Sequence, residues 1–140
     1  MSFVRYNLLM KTYAFRLHRG ADLRGEIDNF VKKKKIMAGI VLTCVGNLEK
    51  AVIRMAGAKK IKTYEGTFEI VSLVGTVEAG NSHLHIAITN EKGQVFGGHL
   101  KYGSIVGVTA EVVIGELENT LFKRLFDEQT GYDELVVKNK

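Results

Sequence analysis

A single change of hydrophobic period near residue 36 most constrains the fold of this chain. Before that point, four apolar residues recur at the spacing of one helical face: Leu23, Ile27, Phe30 and Val31. This stripe predicts a helix over residues 22–34, with Asp22 as its N-cap. After residue 36, apolar residues alternate with polar ones or run continuously, as they do in β-strands, most clearly over residues 83–89. One helix and many strands that are joined by short turns indicate an α+β fold with a mostly antiparallel sheet.

Glycines and short polar stretches mark the expected ends of the strands. A first strand is expected over residues 11–18, and later ones over residues 39–45, 48–55, 66–77, 83–89, 94–97, 104–114 and 120–126. We interpret Gly46-Asn47 as a turn and residues 90–93 as a hairpin turn. The Gly97-Gly98 pair indicates a bulge or a close approach between backbones. Residues 126–137 are expected to form a turn-rich tail.

The composition describes one domain that folds on its own. A chain of 140 residues, 46% of them hydrophobic, buries roughly two-thirds of its surface without disulfides or metal. Its longest apolar run, residues 36–45, is too short for a transmembrane span, and the first residues do not resemble a signal peptide. The one cysteine, Cys44, is expected to be a buried small hydrophobe. We therefore expect a cytoplasmic protein with no membrane contact.

Positive charge is concentrated in the first half of the chain. Residues 1–63 hold 14 basic and 4 acidic residues, whereas residues 64–140 hold 6 basic and 11 acidic ones. The strongest local feature is a run of four lysines, Lys32, Lys33, Lys34 and Lys35. The favoured interpretation is the last turn of a helix, where cations complement the helix dipole. A nucleic-acid contact patch is the alternative, and the two are compatible because the lysines are exposed in either case.

Three of the four histidines form a candidate metal site. His83 and His85 lie two residues apart in a predicted strand, so both side chains project from one face. A hairpin turn centred near Lys92 places His99 opposite His85. Three imidazoles with a free fourth position suit zinc or a similar divalent ion. Ordinary half-buried strand histidines are the alternative interpretation of the same residues.

Other catalytic signals are weak. The sequence contains no G-x-S-x-G, no P-loop and no C-x-x-C motif. Gly97-Gly98-His99 fits an oxyanion-hole sequence, but a strand bulge is several times more common. Glu69 and Glu111 lie on predicted strands, and no spacing distinguishes them from surface glutamates.

Several segments together resemble the plants-and-prokaryotes-conserved (PPC) domain family. The segments are residues 13–17, residues 66–76, His83-Leu84-His85-Ile86, Gly97-Gly98-His99-Leu100 and residues 126–135. Gly66, Phe68, Glu69 and Ile70 match the Gly-Arg-Phe-Glu-Ile-Leu segment of plant members, while Thr67 and Val71 differ from it. The resemblance runs from about residue 11 to residue 137. The resemblance implies that residues 1–140 form a single domain, with an N-terminal extension over residues 1–10.

The resemblance implies a curved antiparallel sheet, a flanking helix and a homotrimer. It also implies a histidine cluster that binds metal in some prokaryotic members, at His83, His85 and His99. In plants the domain follows an AT-hook that contacts DNA. Since this chain has no proline and no such element, the DNA-binding label of the family transfers poorly.

Three functions follow, in order of preference. The first is a trimeric metal-binding domain with zinc or another divalent metal. The second is a sequence-tolerant DNA-binding protein that uses the basic N-terminal half, including Lys32 to Lys35. The third is a small zinc hydrolase or lyase, with Glu69 as the candidate proton-transfer group. The sequence contains no catalytic motif beyond the open position of the candidate metal site.

Overall fold

The computed structural model describes residues 9–140, which form one helix and eight strands. In chain order these are β1 (Met10–His18), α1 (Leu23–Lys34), β2 (Gly39–Arg54), β3 (Ile61–Glu78), β4 (Asn81–Thr89), β5 (Val95–Leu100), β6 (Ile105–Leu117), β7 (Thr120–Asp127) and β8 (Tyr132–Asn139). Most of the predicted N-terminal extension, residues 1–8, lies outside the described part. Within residues 9–140, the helix is not long and apolar enough to cross a membrane.

Six strands form one antiparallel sheet in the order β1-β6-β2-β3-β4-β5. The end of β2 also pairs with β5, through Ile53↔Leu100 and Arg54↔His99. This extra pairing curls the β2–β5 part of the sheet back on itself. Strands β7 and β8 form a separate two-stranded sheet. The predicted α+β class, mostly antiparallel with one flanking helix, is confirmed.

Helix α1 forms where the apolar stripe predicted it. Asp22 caps the helix because its side chain accepts a hydrogen bond from the Gly25 N–H at 3.0 Å. Leu23, Ile27 and Val31 are fully buried in the core between helix and sheet. Phe30 is only partly buried, and its ring stacks on that of Phe15 with centroids 4.4 Å apart.

The lysine run ends the helix, as the favoured interpretation expected. Lys32, Lys33 and Lys34 occupy the last turn, and Lys35 is the C-cap in the left-handed region with φ 55°. All four side chains are exposed. Their charges face the negative end of the helix dipole, which stabilises this terminus.

The predicted turn at Gly46-Asn47 is wrong. Strand β2 continues through both residues, from Gly39 to Arg54. At Gly46 the chain passes so close to Ala110 of β6 that an added Cβ would collide with the Thr109 carbonyl oxygen. The side-chain oxygen of Asn47 accepts hydrogen bonds from the N–H groups of Val108 at 2.8 Å and Thr109 at 3.3 Å. Both residues therefore serve an irregular strand pairing.

Two other boundaries differ from expectation. The residues interpreted as a turn-rich tail contain β8, which pairs with β7 from Asp127↔Tyr132 to Thr120↔Asn139. Strand β3 begins at Ile61, five residues before the predicted start at residue 66. Gly97 and Gly98 form no bulge against β4, because the β4–β5 register is continuous there. They allow close approach instead, since added Cβ atoms would meet the carbonyl oxygens of Ile86 and Arg54.

Candidate metal centre

The hairpin β4–β5 brings the three histidines together. His85 and His99 are direct cross-strand partners, as the turn position predicted. His83 lies one pleat along β4 on the same face, because the residue between them, Leu84, is fully buried on the other side. One nitrogen from each ring lies within 4.8 Å of the other two. The fold thus gathers three ring nitrogens at one point of the surface.

The separation of the first two rings suits a shared metal ion. The Nε2 atoms of His83 and His85 are 3.1 Å apart. Two ligands of a tetrahedral zinc ion, each about 2.0–2.1 Å from the metal, are separated by about 3.3–3.4 Å. Nδ1 of His99 is buried without a hydrogen-bond partner among the described residues. This unpaired nitrogen and the all-imidazole donor set fit zinc or a similar divalent cation.

The surroundings keep two of the rings neutral. Burial lowers the pKa of His83, and the positive charge of Arg124 lowers it further. Burial also lowers the pKa of His99, and with help from Arg54 and Arg24 it falls to about 4. The neutral imidazole is the form that binds metal.

Arg24 supports this centre from helix α1. Its Nη1 atom lies 3.4 Å from Nε2 of His99 and donates to the Leu100 carbonyl at 2.7 Å. Its Nη2 atom donates to the Ser82 carbonyl at 3.0 Å, so one guanidinium joins the ends of β4 and β5. Sequence reasoning missed this residue. The sequence clue to a buried arginine is its position, because Arg24 lies three residues before Ile27 and seven before Val31, on the apolar face of the helix.

Two further arginines reach the centre from distant parts of the chain. Arg54 is opposite His99 in the β2–β5 pair. Arg124 of β7 donates to Thr76 Oγ1 at 2.7 Å, and Thr76 is opposite His83 in the β3–β4 pair. No local sequence pattern marks either residue, because tertiary pairings alone bring them to the histidines.

The other predicted site residues lie away from the histidines. Glu69 pairs with Thr89, four residues from His85 along β4. At about 3.3 Å per residue, this places its backbone about 13 Å from that of His85. The four lysines lie at the opposite end of α1 from Arg24. Neither Glu69 nor the lysines belong to the group of possible ligands at the histidines.

Comparisons with known proteins show which family this chain matches. The model of the Plants and Prokaryotes Conserved domain, abbreviated PCC, matches residues 5–118. A hypothetical protein from Salmonella cholerae-suis is 35% identical, with a TM-score of 0.93 and coverage of 96% of this chain and 98% of that one. A plant- and prokaryote-conserved (PPC) protein from Pyrococcus horikoshii is 30% identical, with a TM-score of 0.79 and coverage of 96% and 97%.

Two other relatives are a protein described as metal-containing and a much longer bifunctional protein. A metal-containing protein from Archaeoglobus fulgidus is 29% identical, with a TM-score of 0.78 and coverage of 97% of this chain and 99% of that one. The bifunctional protein GlmU of Synechococcus sp. (strain JA-3-3Ab) is 34% identical over 129 residues, 92% of this chain and 21% of GlmU. The chain thus spans about a fifth of the length of the curated relatives it matches. By the family model and its relatives, this chain belongs to the Plants and Prokaryotes Conserved domain family.

Proposed function

We propose that this chain is a metal-binding domain that holds one divalent cation, preferably zinc, at His83, His85 and His99. The observation that carries the proposal is the convergence of three imidazole nitrogens within 4.8 Å on adjacent strands. Three neutral nitrogen donors match the ligand preference of zinc, and they leave a coordination position for a further ligand. The metal-containing relative from Archaeoglobus fulgidus, similar over nearly its whole length, supports the same assignment.

The residues around the histidines would hold the donor set in place. Cross-strand pairing fixes the separation of His85 and His99, and Arg24 fixes the strand ends beside them. A bound zinc ion would supply a Lewis-acidic centre at the protein surface. The chain contributes the rigid sheet that holds its three nitrogens together before any metal arrives.

Metal content tests this proposal directly. Elemental mass spectrometry of tag-free protein, purified without chelator, should find about one zinc or similar ion per chain. His83→Ala and His85→Ala should each lose it. His18→Ala is the matched control, because His18 is exposed at the end of β1 and outside the cluster. Equal metal content in all four proteins, or no metal uptake by the parent chain, would overturn the proposal.

The same proposal includes assembly into a homotrimer. Strand β1 ends one side of the sheet, and large apolar side chains remain exposed on β2 and β3. Exposed sheet edges and apolar faces favour association with further copies. A trimer would also bring three copies of the lysine run onto one particle.

DNA binding is a second candidate, favoured by the four exposed lysines at the end of α1. Replacing Lys32 to Lys35 with Gln should weaken binding to duplex DNA and flatten its dependence on salt concentration. A control with the same charge change replaces Lys92, Lys123, Lys138 and Lys140, all of which are exposed. Equal salt slopes for both variants would rule out the lysine run as the contact surface.

A further inference from the structure

An open pocket of about 200 Å³ lies beside the three histidines. Three arginines from separate elements line it together with His83 and His99: Arg24 of α1, Arg54 of β2 and Arg124 of β7. Arg124 and another lining residue, Asp133, belong to the β7–β8 hairpin, which lies beyond the residues matched by the family model. One wall of the pocket therefore comes from outside the part of the chain that the family match covers.

The protein holds two of these guanidinium groups firmly. Arg24 is only 7% exposed and is tied to the Leu100 and Ser82 carbonyls. Arg124 donates from Nε to Glu78 at 3.1 Å and from Nη2 to Thr76 at 2.7 Å. Donors fixed in this way lose little conformational freedom when a ligand binds.

Besides Nδ1 of His99, two buried polar atoms of the lining residues lack hydrogen-bond partners within residues 9–140. Nε of Arg24 and Oγ of Ser82 are buried, and neither has a hydrogen-bond partner within residues 9–140. The nearest carboxylate oxygen to Arg24 Nε is Asp28 Oδ2, at 3.7 Å, which is beyond hydrogen-bond distance. Buried polar atoms are normally paired, so both atoms have unused hydrogen-bonding capacity in residues that line the pocket.

The charges favour an anion once the metal site is filled. Four carboxylates lie near the three guanidinium groups and the histidines: Asp28, Glu78, Asp133 and Glu134. Imidazole ligands are neutral, so a divalent cation at the histidines would leave one net positive charge among these groups. An anionic ligand in the pocket would balance that charge.

We propose that this pocket binds a small oxyanion, a carboxylate or phosphate group, between the three arginines and the metal site. The inference rests on the proposed metal site and names the class of ligand that the site accepts. Guanidinium groups bind carboxylates and phosphates through paired hydrogen bonds, which neutral ligands of the same shape cannot replace.

Calorimetric titration of the zinc-loaded protein with small anions tests this inference. Inorganic phosphate and acetate are the probes, and acetamide is the uncharged counterpart of acetate. At least one anion should bind and acetamide should not, and the stronger anion identifies a phosphate or a carboxylate ligand. Arg54→Gln should weaken the binding at least tenfold, whereas Arg16→Gln, at an exposed arginine of β1, should leave it unchanged. Asp133→Asn should strengthen it, because that change removes a carboxylate from the pocket.

Zinc content, measured on each variant before titration, separates the two proposals. Zinc-loaded protein that binds neither anion, or Arg54→Gln that binds as tightly as Arg16→Gln, overturns the anion site and leaves the metal site standing. Parent protein that takes up neither zinc nor a similar divalent ion overturns the metal site, and the anion site that depends on it falls too. Unchanged thermal unfolding of Arg54→Gln shows that weaker binding does not come from misfolding.

Discussion

Gly46 shows how one residue without a side chain can be misread as a turn. Its φ of +147° and the nearby Thr109 carbonyl leave no room for a Cβ atom. Glycine is needed here because β2 and β6 approach each other at an irregular register. The sequence Gly-Asn predicts a turn wherever it occurs, and only the partner strand reveals that this glycine serves close packing.

We expect Gly46→Ala to destabilise the protein by more than about 2 kcal/mol, because strain and the collision with β6 add together. Gly25→Ala is the control with the same chemical change. Its Cβ would make ordinary contacts with Asp22 at 3.4 Å within a helix, so stability should rise by about 0.5–1 kcal/mol. Urea unfolding measures both. Equal effects of the two substitutions would show that the close approach at Gly46 is unimportant.

Glu78 and Arg124 form a buried ion pair that ties the β7–β8 hairpin to the main sheet. Their Oε1 and Nε atoms are 3.1 Å apart, and both side chains are largely buried. Burial raises the pKa of Glu78 above its ordinary value of 4.5, while Arg124 opposes that rise. The nearby Asp28 adds to the rise. The arginine thus offsets part of the cost of an ionised carboxylate at this position.

Arg124→Gln should therefore destabilise the protein in a pH-dependent way. Without the arginine, the pKa of Glu78 rises further above its value in the unfolded chain. The folded state then holds the proton more tightly, so stability is lost as pH rises from below 4.5 through the raised pKa. Well above that pH, the loss should reach about 3–5 kcal/mol, the usual cost of breaking a buried pair.

Urea unfolding at pH values below and above this range measures the effect. The double variant Glu78→Gln/Arg124→Gln is the control, since it has no carboxylate at residue 78. Its stability relative to the parent should vary less with pH than that of the single variant. The same pH dependence in both variants would assign the effect to another group.

At the scale of elements, helix α1 matters because it positions Arg24 beside the histidines. Asp22 fixes the start of the helix twice: Oδ1 accepts from Gly25 N–H at 3.0 Å, and Oδ2 accepts from Gly103 N–H at 2.6 Å. The second bond joins the helix to the loop between β5 and β6. One carboxylate thus sets both the helix end and its place against the sheet.

Asp22→Ala should lower stability by about 1–2 kcal/mol, the usual cost of losing a helix N-cap, since both backbone N–H groups lose their acceptor. Glu26→Gln, an exposed change in the first turn of the same helix, should cost less than about 1 kcal/mol. Guanidinium-chloride unfolding of the two variants compares them. A loss at Asp22 no larger than that at Glu26 would contradict the double role of the carboxylate.

The sequence predicted some elements well because their pattern is local. Helix α1 and strand β4 each bury one face, so apolar residues recur at the matching period. The tail strand β8 was missed since, among residues 9–140, it pairs only with β7 and buries no face completely, so its sequence carries no alternation. A period can be read only where one side of an element is buried.

The same distinction between local patterns and long-range pairing holds within the candidate site. His83 and His85 share a face by strand geometry, and the hairpin turn gave the position of His99. The arginines were not predicted, because Arg54 meets His99 through the long-range β2–β5 pairing and Arg124 arrives on a separate hairpin. Local spacing predicted that the three histidines come together, whereas the charges around them depend on the tertiary fold.

At the scale of the whole molecule, an apolar patch on the outer surface of β2 and β3 lies next to the histidines. The patch consists of Leu42, Val45, Val71 and Val74, which are 43%, 54%, 55% and 55% exposed. The β2–β3 register, Ile40↔Thr76 and Asn47↔Glu69, brings the two strands' members opposite each other. Val74 is also the cross-strand partner of His85. A partner chain that covers this patch would therefore border the proposed metal site.

We expect this patch to form part of the homotrimer interface. The parent protein should have a solution mass near three times 15.6 kDa by light scattering coupled to size exclusion. Val71→Glu should reduce that mass toward one chain, because three carboxylates buried in an apolar interface would be strongly unfavourable. Val137→Glu, at a 50% exposed valine on β8, is the control and should stay trimeric. A monomeric parent protein would reject the trimer, and a trimeric Val71→Glu would move its interface to another face of the sheet.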